Sequence, residues 1–155
     1  MTSHTPVTRI GAFTFLELML VLALIAIIFV SAAPLVSASL RERHLRADAE
    51  KISTMVRSQR ARAQDDGRRH VLNIRPGGFF ENGDPPKEVA AIPTDAIFTI
   101  RYPGSKWEKP DDQSWEFSPI GMVTPLSIRL ESGNAWIEVD FDMLTGRVSE
   151  ERYAF

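Results

Sequence analysis

The chain contains no cysteine. It can therefore form no disulfide framework and no thiolate metal site, and it has no thiol nucleophile. The absence does not exclude an extracytoplasmic location. It means only that a folded domain in this chain of 155 residues must be held together by its apolar core.

Histidine is also scarce, with three residues at positions 4, 44 and 70. None of them has a recognisable spacing to a serine or aspartate, so ordinary surface or half-buried roles are favoured. Carboxylates occur in neighbouring pairs at Asp65/Asp66, Asp111/Asp112 and Asp140/Asp142. The last pair lacks the series of spaced oxygen ligands found in calcium loops. The sequence thus predicts no catalytic residue, no metal site and no cofactor.

Charge is nearly absent from one long segment. Between Ala12 and Leu40 the only charged residue is Glu17, and the 23 residues from Leu18 to Leu40 carry none. As a helix this uncharged run would be about 35 Å long, enough to cross a hydrocarbon core of about 30 Å. Because the segment is apolar on every side, we predict that residues 13–40 form the transmembrane part of an N-terminal helix.

A carboxylate at the edge of such a segment costs free energy unless another group pairs with it, so its presence indicates a function. The sequence Phe-Thr-Phe-Leu-Glu at residues 13–17, followed by an apolar helix, resembles the processing signature of type IV prepilins. That family has a short polar leader, here residues 1–12, and a mature chain that opens Phe-Thr-Leu-Ile-Glu. The resemblance implies cleavage by a prepilin peptidase, N-methylation of the new first residue, and residence in the lipid bilayer before assembly.

The cleavage bond has two alternatives. The family usually cuts after glycine, but Ala12 stands between Gly11 and Phe13. Cleavage after Gly11 would make Glu17 the sixth residue, whereas cleavage after Ala12 makes it the fifth. Counted from Phe13, Pro34 is residue 22, a position where many pilins carry proline. We therefore favour cleavage between Ala12 and Phe13, with an N-methylated Phe13.

Glu17 and Pro34 are the residues assigned to assembly. A carboxylate desolvated in a bundle of helices needs a cation, which the terminal amine of a neighbouring subunit can supply. Pro34 removes a backbone hydrogen bond, so a kink or local melting near Ile28 to Val30 is expected.

The rest of the helix is predicted to be amphipathic over residues 41–66. Leu45, Ala49, Ile52 and Val56 recur with a 3.6-residue period, which predicts a buried stripe. Asp48 and several arginines are expected to face water. Gly67 is typical of a helix end.

Residues 67–155 are predicted to form a β-rich head. Gly83 and the prolines between Phe79 and Pro93 indicate a loop there. Predicted strands cover residues 70–74, 96–102, 115–117, 126–130, 136–141 and 147–148, with a hairpin turn at 132–134. The expected fold class is α+β: a pilin-like long N-terminal transmembrane and amphipathic helix packed on an antiparallel β-sheet domain.

A second resemblance narrows the family. Phe117 to Gly121 and the segment from Val139 to Val148, with its Asp-x-x-Thr-Gly-Arg-Val ending, look like the H-type minor pseudopilins and their FimT-like relatives. This implies a structural subunit at or near the tip of a type II secretion pseudopilus. The implied partners are other minor and major pseudopilins and the inner-membrane assembly platform. Major pseudopilins bind calcium near the C terminus, but Asp140 and Asp142 do not supply a full ligand set.

The charges are unevenly distributed. Residues 41–75 hold ten Lys or Arg against five Asp or Glu, and residues 76–155 hold seven against fourteen. A basic stem therefore carries an acidic head, either as solvated faces or as surfaces that attract neighbouring subunits. The positive-inside rule would place the head in the cytoplasm, because Arg41 and Arg43 follow the span closely. The resemblance implies a single-pass inner-membrane protein with its C-terminal domain in the periplasm, and we follow it.

Two alternative functions are retained. The first is a FimT-like minor pilin of a type IV pilus, and some members of that group take up DNA. A cluster of arginines near the end of the helix offers candidate phosphate contacts: Arg57, Arg60, Arg62, Arg68 and Arg69. The acidic head disfavours nucleic acid as a partner. A membrane-anchored periplasmic enzyme is disfavoured because no catalytic constellation is present.

Overall fold

The computed structural model describes residues 14–155, without the side chains of residues 29–38. The predicted leader and the processing residues Gly11, Ala12 and Phe13 lie outside the described residues, as does the side chain of Pro34. The chain divides into two compact units between Ser37 and Ala38, close to the predicted boundary after Leu40. The second unit, Ala38–Phe155, is called the C-terminal unit below.

One α-helix, α1, covers Phe15–Asp66 in the described part of the chain. It begins after Thr14, whose Oγ1 accepts a hydrogen bond of 3.2 Å from the backbone N–H of Glu17, as an N-cap does. It ends before Gly67, whose φ of 66° supplies the left-handed conformation, so the predicted stop is confirmed. The helix continues through Ile28 to Val30, and the local melting expected there is not seen.

The apolar first part of α1 is exposed. From Phe15 to Ile28 every side chain is accessible, including Phe15 and Leu16 with exposed fractions of 75% and 76%. Searching the described residues finds no helix that is long and apolar enough to cross a membrane. The membrane span over residues 13–40 therefore stays a prediction.

The amphipathic part of α1 is buried along one stripe. All four residues predicted for this stripe are buried, and Met55, Gln59 and Ala63 extend it. The prediction that Asp48 faces water is wrong, because only 5% of this residue is exposed. Its carboxylate is reached by Lys51, whose Nζ lies 2.7 Å from Oδ1. Asp48 lies three and four residues from members of the stripe and so shares the buried face, while the longer lysine keeps its amine in water.

Eight strands follow, in two antiparallel sheets of four. The first sheet has the order β3-β2-β1-β5, where these strands cover His70–Arg75 (β1), Gly78–Glu81 (β2), Lys87–Ala91 (β3) and Gln113–Phe117 (β5). The second sheet has the order β4-β6-β7-β8, with Ile97–Arg101 (β4), Leu126–Ser132 (β6), Ala135–Phe141 (β7) and Val148–Ala154 (β8). The α+β class with antiparallel pairing is therefore confirmed.

Two strand predictions are wrong. Residues 79–93 were expected to form a loop, but β2 and β3 pair there, because the Gly83 and Pro85 turn signals fall between the strands. The last strand extends to Ala154 rather than ending at Val148. Its charged residues are accommodated because β8 is an edge strand, where alternate side chains remain in water.

The two sheets and α1 share one core. Aromatic side chains join the sheets, with ring centroids 5.5 Å apart for Phe79 and Phe98 and 5.4 Å apart for Trp115 and Phe141. Trp115 is fully buried, and its indole N–H donates a 2.7 Å hydrogen bond to the carbonyl of Thr124. The buried indole thereby satisfies its only polar group.

Candidate functional site

Glu17 lies in the first turn of α1 with an exposed side chain. Within residues 14–155, no hydrogen bond or ion pair involves its carboxylate. A helix N-terminus favours a negative charge, since the first backbone N–H groups have no partner inside the helix. The ionised carboxylate is thus exposed at a helix end that favours its charge.

The arginines predicted as candidate phosphate contacts are largely used within the chain. Three of them face carboxylates, in the pairs Arg57–Glu50 at 2.8 Å, Arg62–Glu81 at 2.9 Å and Arg69–Glu116 at 3.5 Å. Arg68 makes no side-chain hydrogen bond or ion pair among the described residues. Paired arginines offer phosphate less net charge, which weakens the basis for a nucleic-acid interface.

Arg60 has a different role, because it binds two loops through backbone carbonyls. Its Nε donates a 2.7 Å hydrogen bond to Gly121 in the loop between β5 and β6, and its terminal nitrogen donates one of 3.4 Å to Leu144 in the turn between β7 and β8. The loops also contact each other, since the N–H of Val123 donates to the carbonyl of Met143 at 2.8 Å. The two segments that resemble H-type pseudopilins are therefore neighbours in space.

The turn between β7 and β8 is held by Asp142. Its Oδ1 accepts hydrogen bonds from the Thr145 hydroxyl and the Thr145 N–H, both at 2.8 Å, and from the Leu144 N–H at 3.1 Å. These hydrogen bonds, that of the Thr145 hydroxyl first, lower the pKa of the Asp142 carboxyl below its ordinary value. Asp142 is thus a turn-forming residue whose carboxylate is already used.

Gly146 completes this turn. Its φ of 61° lies in the left-handed region, and a Cβ there would come within 3.1 Å of Arg60 Cδ and of Val123 Cγ2. Any other residue would be strained and would press on the helix and the neighbouring loop. The Thr-Gly pair of the motif therefore has a structural explanation.

These rigid loops present apolar side chains to water. The exposed fractions are 76% for Ile120, 61% for Leu144 and 41% for Met143. A groove of about 350 Å³ lies beside them, lined by Met122, Pro125 and Arg69 among others. Exposed apolar side chains grouped on one surface are typical of protein–protein contact sites. Ile120, Met143 and Leu144 form what we call the loop-end patch.

The outer face of the second sheet carries a network of charges. Arg152 donates to Glu138 and, at 2.8 Å, to Asp140, while Arg101 reaches Glu138 at 3.4 Å. The hydrogen bond with Glu138 is the main cause that raises the pKa of Arg152. Asp140 is thereby paired with arginine and lies apart from the turn that uses Asp142. Among the described residues, no group of three or more His, Asp or Glu is placed to hold a metal ion.

The described histidines have ordinary surroundings. His44 is exposed on α1, and Nε2 of His70 lies 2.7 Å from Oδ2 of Asp66. This contact lowers the pKa of Asp66, and the N–H of Arg68 adds to the effect. The pair joins the end of α1 to the start of β1.

Sequence reasoning missed the loop-end patch and the role of Arg60. The patch left a usable signal, because Ile120 and Leu144 are large apolar residues inside predicted turns. Arg60 left none, since hydrogen bonds to backbone carbonyls require no particular partner residue.

Comparisons with protein-family models, with curated proteins and with solved structures found no match.

Proposed function

We propose that the chain is a type IV pilin-like minor subunit, most simply an H-type pseudopilin of a type II secretion system. It is inserted in the inner membrane with its C-terminal domain in the periplasm. A prepilin peptidase cleaves it before Phe13, and it joins a pseudopilus at or near the tip. Its role is structural, through contacts with other pseudopilins and with the assembly platform.

The observation that carries the proposal is the change in character along α1. The side chains from Phe15 to Ile28 are exposed on all sides, whereas the stripe from Leu45 to Val56 is buried. Leaving apolar area in water costs about 25 cal/mol per Å², so the first part requires a bilayer or the helices of other subunits. A subunit that passes from a bilayer into a helical filament meets both requirements.

Glu17 would determine how the subunits align along the filament. In a filament its carboxylate would leave water, and an uncompensated buried charge is destabilising by about 3–5 kcal/mol. The amine created by cleavage before Phe13 is a cation of suitable size on a neighbouring subunit. Only the axial register that brings the two groups together avoids the cost, so the pair would select that register.

The alternative functions gain less support. DNA uptake by a FimT-like minor pilin would use the arginines near the end of α1, but three of these face carboxylates and Arg60 binds backbone carbonyls. An enzyme would need a nucleophile and a base within reach of each other. The described histidines, at the Asp66 contact and on the exposed helix face, do not form such an arrangement.

The test is to substitute Glu17→Val and Glu17→Ala in the full chain. Both variants should be made, inserted and cleaved like the wild type. Their incorporation into purified pseudopili should fall about tenfold or more, since the expected cost exceeds 1.4 kcal/mol. Glu88→Ala, an exposed carboxylate on β3, is the matched control and should incorporate normally. Wild-type incorporation of both Glu17 variants would show that the carboxylate does not guide assembly.

A further inference from the structure

The C-terminal strand brings two exposed aromatic rings back to α1. The rings of Tyr153 and Phe155 are stacked, with centroids 5.1 Å apart, and their residues have exposed fractions of 53% and 43%. The guanidinium of Arg46 lies over both, 4.6 Å from the Tyr153 centroid and 5.0 Å from that of Phe155. The three side chains form one exposed cluster at the end of β8.

This cluster lies beside the helix segment that follows the uncharged run. Nε of Arg46 is 3.1 Å from the carboxylate of Glu42, so the guanidinium lies between the levels of these two residues. Those levels are about 3 to 9 Å past Leu40 along the helix axis. The polar interfacial layer of a bilayer is about 5 to 8 Å thick on each side. If the hydrocarbon core ends near Leu40, the stacked rings lie at headgroup depth.

β8 runs along α1 in the direction of Leu40. At its start, Gly146 lies against Arg60 and Val56 on α1. Near its end, Glu151 pairs with Arg46 at 3.3 Å and Tyr153 lies under the same guanidinium. The strand therefore runs along α1 toward Leu40, and its last residues are those nearest to the level of Leu40.

A third aromatic side chain lies at the same end of the second sheet. Trp136 is paired in register with Ala154, and the guanidinium of Arg129 lies 4.5 Å from its ring centroid. The turn between β6 and β7 lies beside Arg41 of α1. A Cβ added at Gly133 in this turn would be 3.9 Å from Arg41 Cδ. We call Trp136, Tyr153 and Phe155 the aromatic base.

The charges around the aromatic base favour ring burial over binding to phosphate. Arg46 is matched by Glu42 and Glu151, and Nε of Arg129 lies 2.7 Å from Glu131. With these charges paired, the groups that contact the rings have little net attraction for anionic headgroups. Arg41 and Arg43 form no ion pair among the described residues and are the nearby cations that such a headgroup could bind. Tryptophan and tyrosine are nevertheless enriched at membrane interfaces, because their rings are apolar on one side and polar at one end.

We propose that the aromatic base is an interfacial anchor that seats the C-terminal unit against the lipid headgroup layer. The inference rests on the proposed function in one respect, since the uncharged run must be inserted in a bilayer. Before assembly the anchor would fix the height of the head above the membrane. Its contact with lipid should depend weakly on salt, because it uses rings rather than net charge.

The absence of cysteine allows a direct test, since one introduced cysteine gives one nitroxide label. The full chain is reconstituted in phosphatidylcholine nanodiscs as Ala154→Cys, Ala61→Cys or Leu24→Cys, each an exposed position. Collision with oxygen, which concentrates in lipid, and with a water-soluble nickel chelate reports the depth of each label. The Ala154 label should show interfacial depth, the Ala61 label an aqueous position, and the Leu24 label deep burial.

The outcomes separate the anchor from the function on which it rests. An Ala154 label as accessible to nickel as the Ala61 label, with Leu24 buried in lipid, would overturn the anchor alone. An Ala154 label shielded from both reagents would mean that protein covers the base, which also overturns it. A water-exposed Leu24 label would overturn the proposed membrane insertion and the anchor together.

A second variant tests the rings themselves. In the Ala154→Cys background, Tyr153→Ser with Phe155→Ser should move the label about tenfold toward aqueous accessibility. Ile120→Ser with Leu144→Ser, which removes two even more exposed apolar side chains from the loop-end patch, should leave the label unchanged. Unfolding curves of both double variants establish that the C-terminal unit remains folded. An unchanged depth without the two rings would contradict the proposal.

Discussion

Asp142 shows how one carboxylate can organise a turn and make its stability depend on pH. Three hydrogen bonds from Leu144 and Thr145 stabilise the ionised form, so the folded pKa lies below the ordinary value of 3.8. A depressed folded pKa contributes stability above the ordinary value, and this contribution is lost as the pH falls through the folded pKa. Asp66 acts in the same direction through its contact with His70.

We therefore predict that Asp142→Asn reduces the pH dependence of stability. The wild type should lose unfolding free energy as the pH falls from about 5 to about 2, and the variant should lose less, because its amide does not titrate. The unfolding midpoint of the full chain in detergent, followed by tryptophan fluorescence, measures the effect. Asp111→Asn is the control, an exposed position with no side-chain hydrogen bond among the described residues. Equal acid sensitivity in all three proteins would contradict the assignment.

At the scale of elements, Arg60 joins α1 to two loops. Replacing it by methionine keeps much of the apolar stem but leaves the carbonyls of Gly121 and Leu144 without their donor. Arg60→Met should lower the free energy of unfolding by about 1–3 kcal/mol. Arg57→Met, which removes an exposed ion pair with Glu50 and an exposed hydrogen bond to the Thr54 hydroxyl, should cost about 0.5 kcal/mol or less.

Denaturant unfolding of the two variants and of the wild type distinguishes these costs. Proteolysis adds a local readout, because the loop between β5 and β6 should become susceptible only when Arg60 is replaced. Equal stabilities for Arg60→Met and Arg57→Met would mean that the loops are held by their own turns and not by the helix.

The elements differ in how far the sequence predicts them. The buried stripe of α1 follows from the 3.6-residue period, because Leu45, Ala49, Ile52 and Val56 must share one face. The hairpin of β6 and β7 follows from alternation around Gly133. β2 and β3 were missed because turn residues in the connection outweighed the short apolar stretch at Phe79. The split into two sheets depends on contacts such as Phe79 with Phe98, which local patterns do not encode.

The candidate functional residues also differ in how far the sequence predicts them. Glu17 is evident from the sequence because one charge stands in an apolar segment. The meeting of Gly121 with Leu144 depends on tertiary packing around Arg60, and therefore had no sequence signal. The burial of Asp48 does have a sequence signal, since its spacing of three and four residues from members of the buried stripe places it on the same face of the helix.

For the whole molecule, the unequal charges of stem and head are largely used inside the chain. Four pairs join the basic segment to the acidic one: Arg46–Glu151, Arg62–Glu81, Arg69–Glu116 and Arg75–Asp112. The interpretation as attraction between subunits is therefore less supported than attraction within one subunit. Such exposed pairs contribute about 0–1 kcal/mol each, so they orient the head more than they stabilise it.

The proposed life cycle places different demands on different parts of the molecule. In this proposal the uncharged run and Glu17 would serve insertion and assembly, the aromatic base would serve the membrane-bound state, and the loop-end patch would contact another subunit. Assembly in this proposal depends on one covalent event, the removal of the leader. Without it no amine exists at Phe13 to pair with Glu17.

The intact mass and N-terminal sequence of the protein from membranes test this account most directly, in cells with and without the prepilin peptidase. The account predicts a chain that starts at N-methylated Phe13 and appears only when the peptidase is present. A start at Ala12 would keep the processing pathway but move Glu17 to the sixth position and weaken the register argument. An uncut chain starting at Met1 in both kinds of cell would contradict the pilin-like assignment.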